Sequence, residues 1–232
     1  MKLVKKHLQN GQYLTQEFEK LSQFLHHTAG MTADGALSWW DQTPDRVGTP
    51  FVIDRDGTDF EAFDPKMWAY HLGVVGDDNW HEKHSINIEI ACAGQLYLED
   101  DKFMFYPLFP NKVAGKVIPK EDVYTFDEPY KGFKYYHKYT DAQIVAVKER
   151  LVQNLKEFPL LTFPNDPEDI FDYDESVVEE HKVGIWAHSK VRKDKNDVYP
   201  YPPLIAMLKE VKDIYNGVKA PKTAPEVVAK KK

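Results

Sequence analysis

The chain has 232 residues, 42% of them hydrophobic and 13% aromatic, and a formal net charge of −7. That is enough apolar material to bury a sizeable core in one domain. The acidic balance excludes a nucleic-acid partner held by phosphate neutralisation, which needs a concentrated basic surface.

The N-terminal Met1-Lys2-Leu3-Val4-Lys5-Lys6 is basic but is not followed by an apolar stretch, and no run reaches membrane-spanning length. The expectation is therefore a monomer made in the cytoplasm without a signal peptide and without a membrane partner, with residues 1–19 an N-terminal extension. Residues 21–27 read as a buried strand with His26 at its C-terminal end, and Thr28-Ala29-Gly30 turns the chain away. A short helix is expected over 34–42. Thr49–Ile53 then reads as a strand entering a tight hairpin at Asp54-Arg55-Asp56-Gly57, with residues 58–63 returning.

In Ser85-Ile86-Asn87-Ile88-Glu89-Ile90 the alternation predicts a strand with isoleucine on one face and Ser85, Asn87 and Glu89 on the other, a polar face that needs a polar cavity. Cys92 is the single cysteine, which excludes an intramolecular disulfide, and its apolar neighbours mark it as a packed thiol. Residues 97–139 are aromatic-rich, punctuated by proline and without helical period. They read as an inserted loop or small hairpin layer, either one wall of a substrate groove or plain packing.

Thr140 and Gln143 form a capping box that opens a helix with an apolar face of Ile144, Val147, Leu151, Leu155 and Phe158. After a proline-containing connection, residues 175–181 read as a short helix and Val183–His188 as a strand ending in a second histidine. A last helix starts at Pro202 or Pro203 and stops at Gly217, leaving 217–232 as a disordered tail. The expected fold class is α/β, a single domain over 20–216 with a central mixed β-sheet flanked by helices.

The segments 25–30 and 188–197, with His26, His27, His188, Asp194 and Asp197, can together offer two imidazoles and a carboxylate, the ligand count of a catalytic zinc that keeps its fourth position for water. Lys195 would set a cation beside them. His27 competes with His26, but adjacent strand residues face opposite ways. His7, His81, His84, His137 and His181 sit in charged or polar surroundings and read as solvated. Trp39, Trp40, Trp68 and Trp186 read as core in preference to sugar platforms.

The ordered pieces resemble a known family. They are His26-x-Thr28-Ala29, Phe51-Val52-Ile53-Asp54-Arg55-Asp56-Gly57-Thr58, Trp68-Ala69-Tyr70-His71-Leu72-Gly73, Ser85-Ile86-Asn87-Ile88-Glu89, Tyr139-Thr140-x-x-Gln143, and His188 with Lys195-x-Asp197. Over roughly residues 20–216 the chain resembles the zinc-dependent N-acetylmuramoyl-L-alanine amidases of the type 2 group, which includes phage endolysins and peptidoglycan recognition proteins.

The resemblance implies a zinc ion at one edge of the sheet, held by His26, His188 and Asp197, with Glu89 as general base and Lys195 as electrophilic helper. It implies His71 and Trp68 as substrate-lining residues, and peptidoglycan or a muropeptide as the substrate. A structural ion pair is the competing role for Glu89, a plain loop carboxylate for Asp197, and a satisfied structural histidine for His71. The chain departs from the family in Thr49-Pro50-Phe51, in Asn87 where a glycine is common, and in Asp197-Val198-Tyr199-Pro200 where Asp-Pro-Gly is common. Three functions follow from the resemblance: a phage-type endolysin, a recognition module that binds without cleaving, and a cytoplasmic amidase that recycles soluble muropeptides.

Overall fold

A run of six buried residues containing two histidines can only be an interior strand, and Ser22–His27 lies inside the main sheet of the protein. The structure, a computed structural model, describes residues 2–106 and 115–219. In chain order the first half gives β1 (Leu3–Lys5), β2 (Ser22–His27), α1 (Ala33–Trp40), β3 (Phe51–Ile53), β4 (Asp59–Glu61), α2 (Trp80–Lys83) and β5 (Ser85–Ile90). It continues through β6 (Gln95–Glu99), β7 (Lys102–Phe105), β8 (Lys116–Ile118), β9 (Val123–Tyr130) and β10 (Phe133–His137). The last elements are α3 (Asp141–Glu157), α4 (Ser176–Glu179), β11 (Ile185–Ala187), α5 (His188–Val191) and α6 (Pro202–Lys219).

The six-stranded sheet has the order β1-β4-β3-β5-β2-β11. Its β3, β5, β2 and β11 run parallel, while β4 returns antiparallel to β3 through the hairpin at Gly57. It is thus the mixed sheet expected, and it is flanked by helices. Residues 3–5, within the stretch read as an extension, pair with β4 at the sheet edge. His26 lies opposite Glu89 in register, and Ala187 opposite Leu25, so His188 leaves the sheet beside His26. Ligands of open α/β sheets gather at the carboxyl ends of parallel strands, and three candidate residues meet there.

The two faces of β5 divide as the alternation requires. Ile86, Ile88 and Ile90 join the main core with Val147, Leu151 and Leu155 of α3 and Leu204, Leu208 and Val211 of α6. Opposite them, Asn87 and Ser85 hydrogen-bond each other, and Asn87 also meets His71. The polar face is therefore sealed by a polar network, as burial demands.

Thr140 caps α3 with the full capping box, and Gln143 also donates from its side chain to the carbonyl of Ala91, tying the helix start to the end of β5. The buried stripe of α3 is less apolar than the sequence suggests, since it includes Arg150 and Asn154. Arg150 donates to Asp59 Oδ2 from Nε at 2.7 Å and from Nη2 at 2.5 Å, and its guanidinium lies 3.8 Å from the centroid of the Phe51 ring.

Several expectations need correction. Of the two readings of the segment after β5, the hairpin layer holds, but as a five-stranded antiparallel sheet of order β8-β7-β6-β10-β9 that starts earlier, at Gln95. Its strands are short and separated by positive-φ residues such as Asp100, Asp101 and Lys131, which hides the period from sequence. Residues 107–114 of this segment, and 220–232 of the expected tail, lie outside the described residues. Helix α6 continues past Gly217 to Lys219, because one glycine weakens a helix by about 1 kcal/mol without ending it. His188 opens a helical turn instead of closing the strand. His81 and His137 are buried, not solvated: His81 is paired with Asp77 at 3.0 Å, and His137 Nδ1 meets the backbone N–H of Ala93.

Removing one partner of a buried ion pair strands the other charge. Arg150→Ala should therefore destabilise the fold by about 3–5 kcal/mol, whereas Val145→Ala on the exposed side of the same helix should stay within about 0.5 kcal/mol. Urea unfolding of both variants checks this, and wild-type stability in Arg150→Ala would contradict the placement.

Candidate active site

Because β2 and β11 are parallel neighbours, their carboxyl ends deliver His26 and His188 side by side, and the loop after α5 folds Asp197 back onto them. The backbone N–H of Ser189 donates to the carbonyl of Asp197 at 2.9 Å, which fixes that return. Tyr199, two residues on, is buried among Tyr136, Tyr139 and Tyr201, and its hydroxyl donates to the carbonyl of His137 at 2.7 Å. Gln95 at the start of β6 accepts from Asn196 at 3.0 Å. The second sheet thus buttresses the Asp197 loop from behind.

Three atoms meet at close range. His26 Nδ1 and His188 Nδ1 are 3.1 Å apart, His188 Nδ1 and Asp197 Oδ2 are 3.1 Å apart, and His26 Nδ1 and Asp197 Oδ2 are 3.3 Å apart. Among the described residues this is the one group of three or more metal-ligating side chains within ligand range of one another. A tetrahedral site with bonds of about 2.0–2.1 Å has edges of about 3.3 Å, so the triangle is close to one face of a zinc tetrahedron.

Proton placement fits as well. His188 Nε2 lies 2.9 Å from the carbonyl of Leu72, which can only accept, so the ring donates there and a neutral ring keeps its lone pair on Nδ1. Burial lowers His26 from its ordinary value to about 3 against the pull of Asp197, so its ring is neutral, and its Nε2 is buried with no partner. Burial alone would raise Asp197, yet its contacts with His188 and His26 carry it well below the usual carboxylate range. Two imidazole Nδ1 atoms and a carboxylate oxygen turned inward on one point are a donor set for a divalent cation.

Glu89 stands on the same sheet face as His26. Burial, with the nearby Asp197 charge adding to it and Lys195 opposing it, holds its proton affinity well above the usual range, and Oε2 has no hydrogen-bond partner. These residues line a groove of about 700 Å³ together with His71, Lys195, Asn196, Thr28 and Trp39. Trp39 is 57% exposed on its rim, whereas Trp40, Trp68 and Trp186 are buried.

Of the residues singled out from sequence, the structure brings together His26, His188, Asp197, Glu89, Lys195 and His71. It does not bring in Trp68, which is a correction: its indole is 7% exposed, packs edge-on against Phe18 and Tyr70, and lies away from the groove. His27 points to the opposite face and meets the Tyr139 hydroxyl at 3.2 Å. Among the described residues, 97–139 contribute no groove wall; their aromatic rings pack on Tyr199 and Tyr201 instead. Sequence reasoning missed Trp39 on the rim and Glu82, whose carboxylate accepts from the backbone N–H groups of His71, Leu72 and Gly73. Helical spacing marks neither, since their roles depend on what packs beside them.

A family model described as N-acetylmuramoyl-L-alanine amidase matches residues 22–200. No curated protein matches the chain. Among solved structures, that of PlyL is 12% identical with a TM-score of 0.52, the alignment covering 91% of this chain and 98% of that one. The Staphylococcus aureus hydrolase AmiA in complex with its ligand is 15% identical with a TM-score of 0.53, covering 95% and 88%. The N-acetylmuramyl-L-alanine amidase AmiD from E. coli, in complex with anhydro-N-acetylmuramic acid-L-Ala-D-γ-Glu-L-Lys, is 14% identical with a TM-score of 0.51, covering 84% and 59%. At these identities the likeness is one of fold.

The opposite orientations of the neighbouring histidines give a direct test. Metal-free protein titrated with zinc should take up about one ion per chain, His26→Ala should lose that uptake, and His27→Ala should keep it. Equal loss in both variants, by elemental analysis after gel filtration, would contradict the geometry.

Proposed function

The chain belongs to the N-acetylmuramoyl-L-alanine amidase family, and on that premise we propose that it is a zinc-dependent peptidoglycan hydrolase of the phage endolysin type. It cuts the amide between the lactyl group of N-acetylmuramic acid and L-alanine of the stem peptide. The observation that carries this reading is the triangle of His26 Nδ1, His188 Nδ1 and Asp197 Oδ2 opening onto the groove beside Glu89.

A zinc ion held there would supply a bound water with a pKa near about 7 and a Lewis acid for the scissile carbonyl. The chain's own groups do the rest. Glu89, desolvated and short of a partner at Oε2, accepts the proton of the attacking water and returns it to the departing amine nitrogen of L-alanine. The Lys195 charge stands at the groove and opposes, without cancelling, the rise in Glu89 proton affinity that burial and Asp197 cause. The same charge stabilises the negative charge that develops on the carbonyl oxygen. His71 and Trp39 flank the substrate path.

Cleavage of the wall polymer is favoured by the open groove. The likeness of fold to AmiD, which holds a soluble anhydromuropeptide, supports a second reading as a recycling amidase. Incubation with purified sacculi and with soluble muropeptides, followed by mass spectrometry, separates the two. Free stem peptides with an L-alanine N-terminus released from sacculi are the expected products; cleavage confined to soluble fragments would assign recycling, and binding with no cleavage would overturn the reading.

Two substitutions test the roles of the side chains. Glu89→Gln keeps the shape of the carboxylate but cannot take a proton, so it should abolish most turnover while zinc content stays unchanged. Lys195→Ala should lower turnover by about 100-fold or more. Wild-type turnover in either variant, measured on the same sacculi, would require another group in that role.

A further inference from the structure

Glu82 is a buried carboxylate, 1% exposed, on the four-residue helix α2; it does not itself line the groove, which it meets only through His71. Its Oε1 accepts from the N–H of Leu72 at 3.1 Å and from the N–H of Gly73 at 3.0 Å, and its Oε2 accepts from the N–H of His71 at 3.0 Å. Oε2 also lies 3.0 Å from His71 Nε2. Burial alone would raise Glu82, but His71 and these backbone donors hold it down to about 2, so it is ionised.

The Leu72–Gly73 peptide is held at both ends. Its N–H donates to Glu82, and its carbonyl oxygen accepts from His188 Nε2 at 2.9 Å and from Arg192 Nη1 at 3.1 Å. Gly73 adopts a φ of +61°, a left-handed conformation that favours glycine, and the turn it makes presents the two poles of the peptide to Glu82 and His188. A full negative charge at the N–H end polarises the amide and makes its oxygen a stronger acceptor. A stronger acceptor at Nε2 fixes the tautomer and raises the basicity of Nδ1, the atom turned toward His26 and Asp197.

We infer that Glu82 is a positioning residue for the metal centre, acting on His188 through the Leu72–Gly73 peptide in a carboxylate–peptide–imidazole relay. The inference rests on the zinc reading above, and it assigns to a side chain that does not line the groove the control of how tightly His188 binds metal. The carboxylate takes no part in the bond-breaking chemistry.

The test compares wild type, Glu82→Gln and Glu82→Asp in two measurements. Zinc affinity by competition with a chromophoric chelator should fall about 10–100-fold in Glu82→Gln, and Glu82→Asp, which keeps the charge on a shorter stem, should recover part of that loss. Histidine ring ¹⁵N spectra of the metal-free proteins should show His188 protonated at Nε2 in wild type and a tautomer mixture in Glu82→Gln. Circular dichroism and thermal unfolding establish that the compared variants are folded. Unchanged zinc affinity with an unchanged His188 tautomer in folded Glu82→Gln would overturn the inference, as would failure of both variants to fold, which would make Glu82 a folding determinant. If wild type binds no zinc, the metal reading falls, while the tautomer comparison still decides the relay.

Discussion

The carbonyl of Leu72 can only accept a hydrogen bond, so its 2.9 Å contact with His188 Nε2 decides which nitrogen of that ring faces the other two donors. With the proton on Nε2, the Nδ1 lone pair points at His26 and Asp197, and the group becomes a ligand set instead of a hydrogen-bonded cluster. Everything else at the carboxyl ends of β2, β5 and β11 serves that convergence. The parallel register sets His26 beside His188 and opposite Glu89, and the Ser189–Asp197 backbone contact closes the loop that returns the carboxylate.

Such a site is costly to bury, and the surrounding structure shows how the cost is met. One sheet face packs under α3 and α6; the other packs Val52 with α1 at one end and carries Ser85 and Asn87 against a polar lid formed by residues 71–84, with Glu89 at the groove. Within that lid Glu82 sits on three backbone donors and His81 Nδ1 on Asp77. Three of the buried side-chain atoms without a hydrogen-bond partner, His26 Nε2, His71 Nδ1 and Glu89 Oε2, belong to residues that line the groove. The second sheet adds rigidity from the other side, since its aromatic rings pack on Tyr199 and Tyr201 just beyond Asp197. Of the two roles open to this segment in sequence, the packing of its rings on Tyr199 and Tyr201 favours the structural one among the described residues.

Much of this was legible in the chain because the signals are local. The period-2 alternation of residues 85–90 and the capping box at Thr140 and Gln143 specify their elements without tertiary help. His26, His188 and Asp197 were legible through an ordered set of motifs; histidine abundance alone would not have separated them from His81 or His137, whose polar neighbours suggested solvent and whose side chains are buried. What stayed hidden depends on partners far away in sequence. Arg150 reads as the polar edge of a helix until Asp59, 91 residues earlier, is placed beneath it. Glu82 reads as one charge among several in 77–84, and its role emerges only when three backbone donors from 71–73 fold over it. Trp68 and Trp39 exchange their expected places for the same reason, since a tryptophan's exposure is decided by what packs on it.

The central claim is that one zinc ion sits against His26 Nδ1, His188 Nδ1 and Asp197 Oδ2 at the floor of the groove. A crystal of the zinc-loaded protein, with diffraction recorded on both sides of the zinc absorption edge, tests this most directly. The account predicts a single strong anomalous peak about 2.0–2.2 Å from each of those three atoms, with a fourth position open toward Glu89. A peak bound through other side chains, or none at this triangle while zinc is bound elsewhere on the chain, would contradict it.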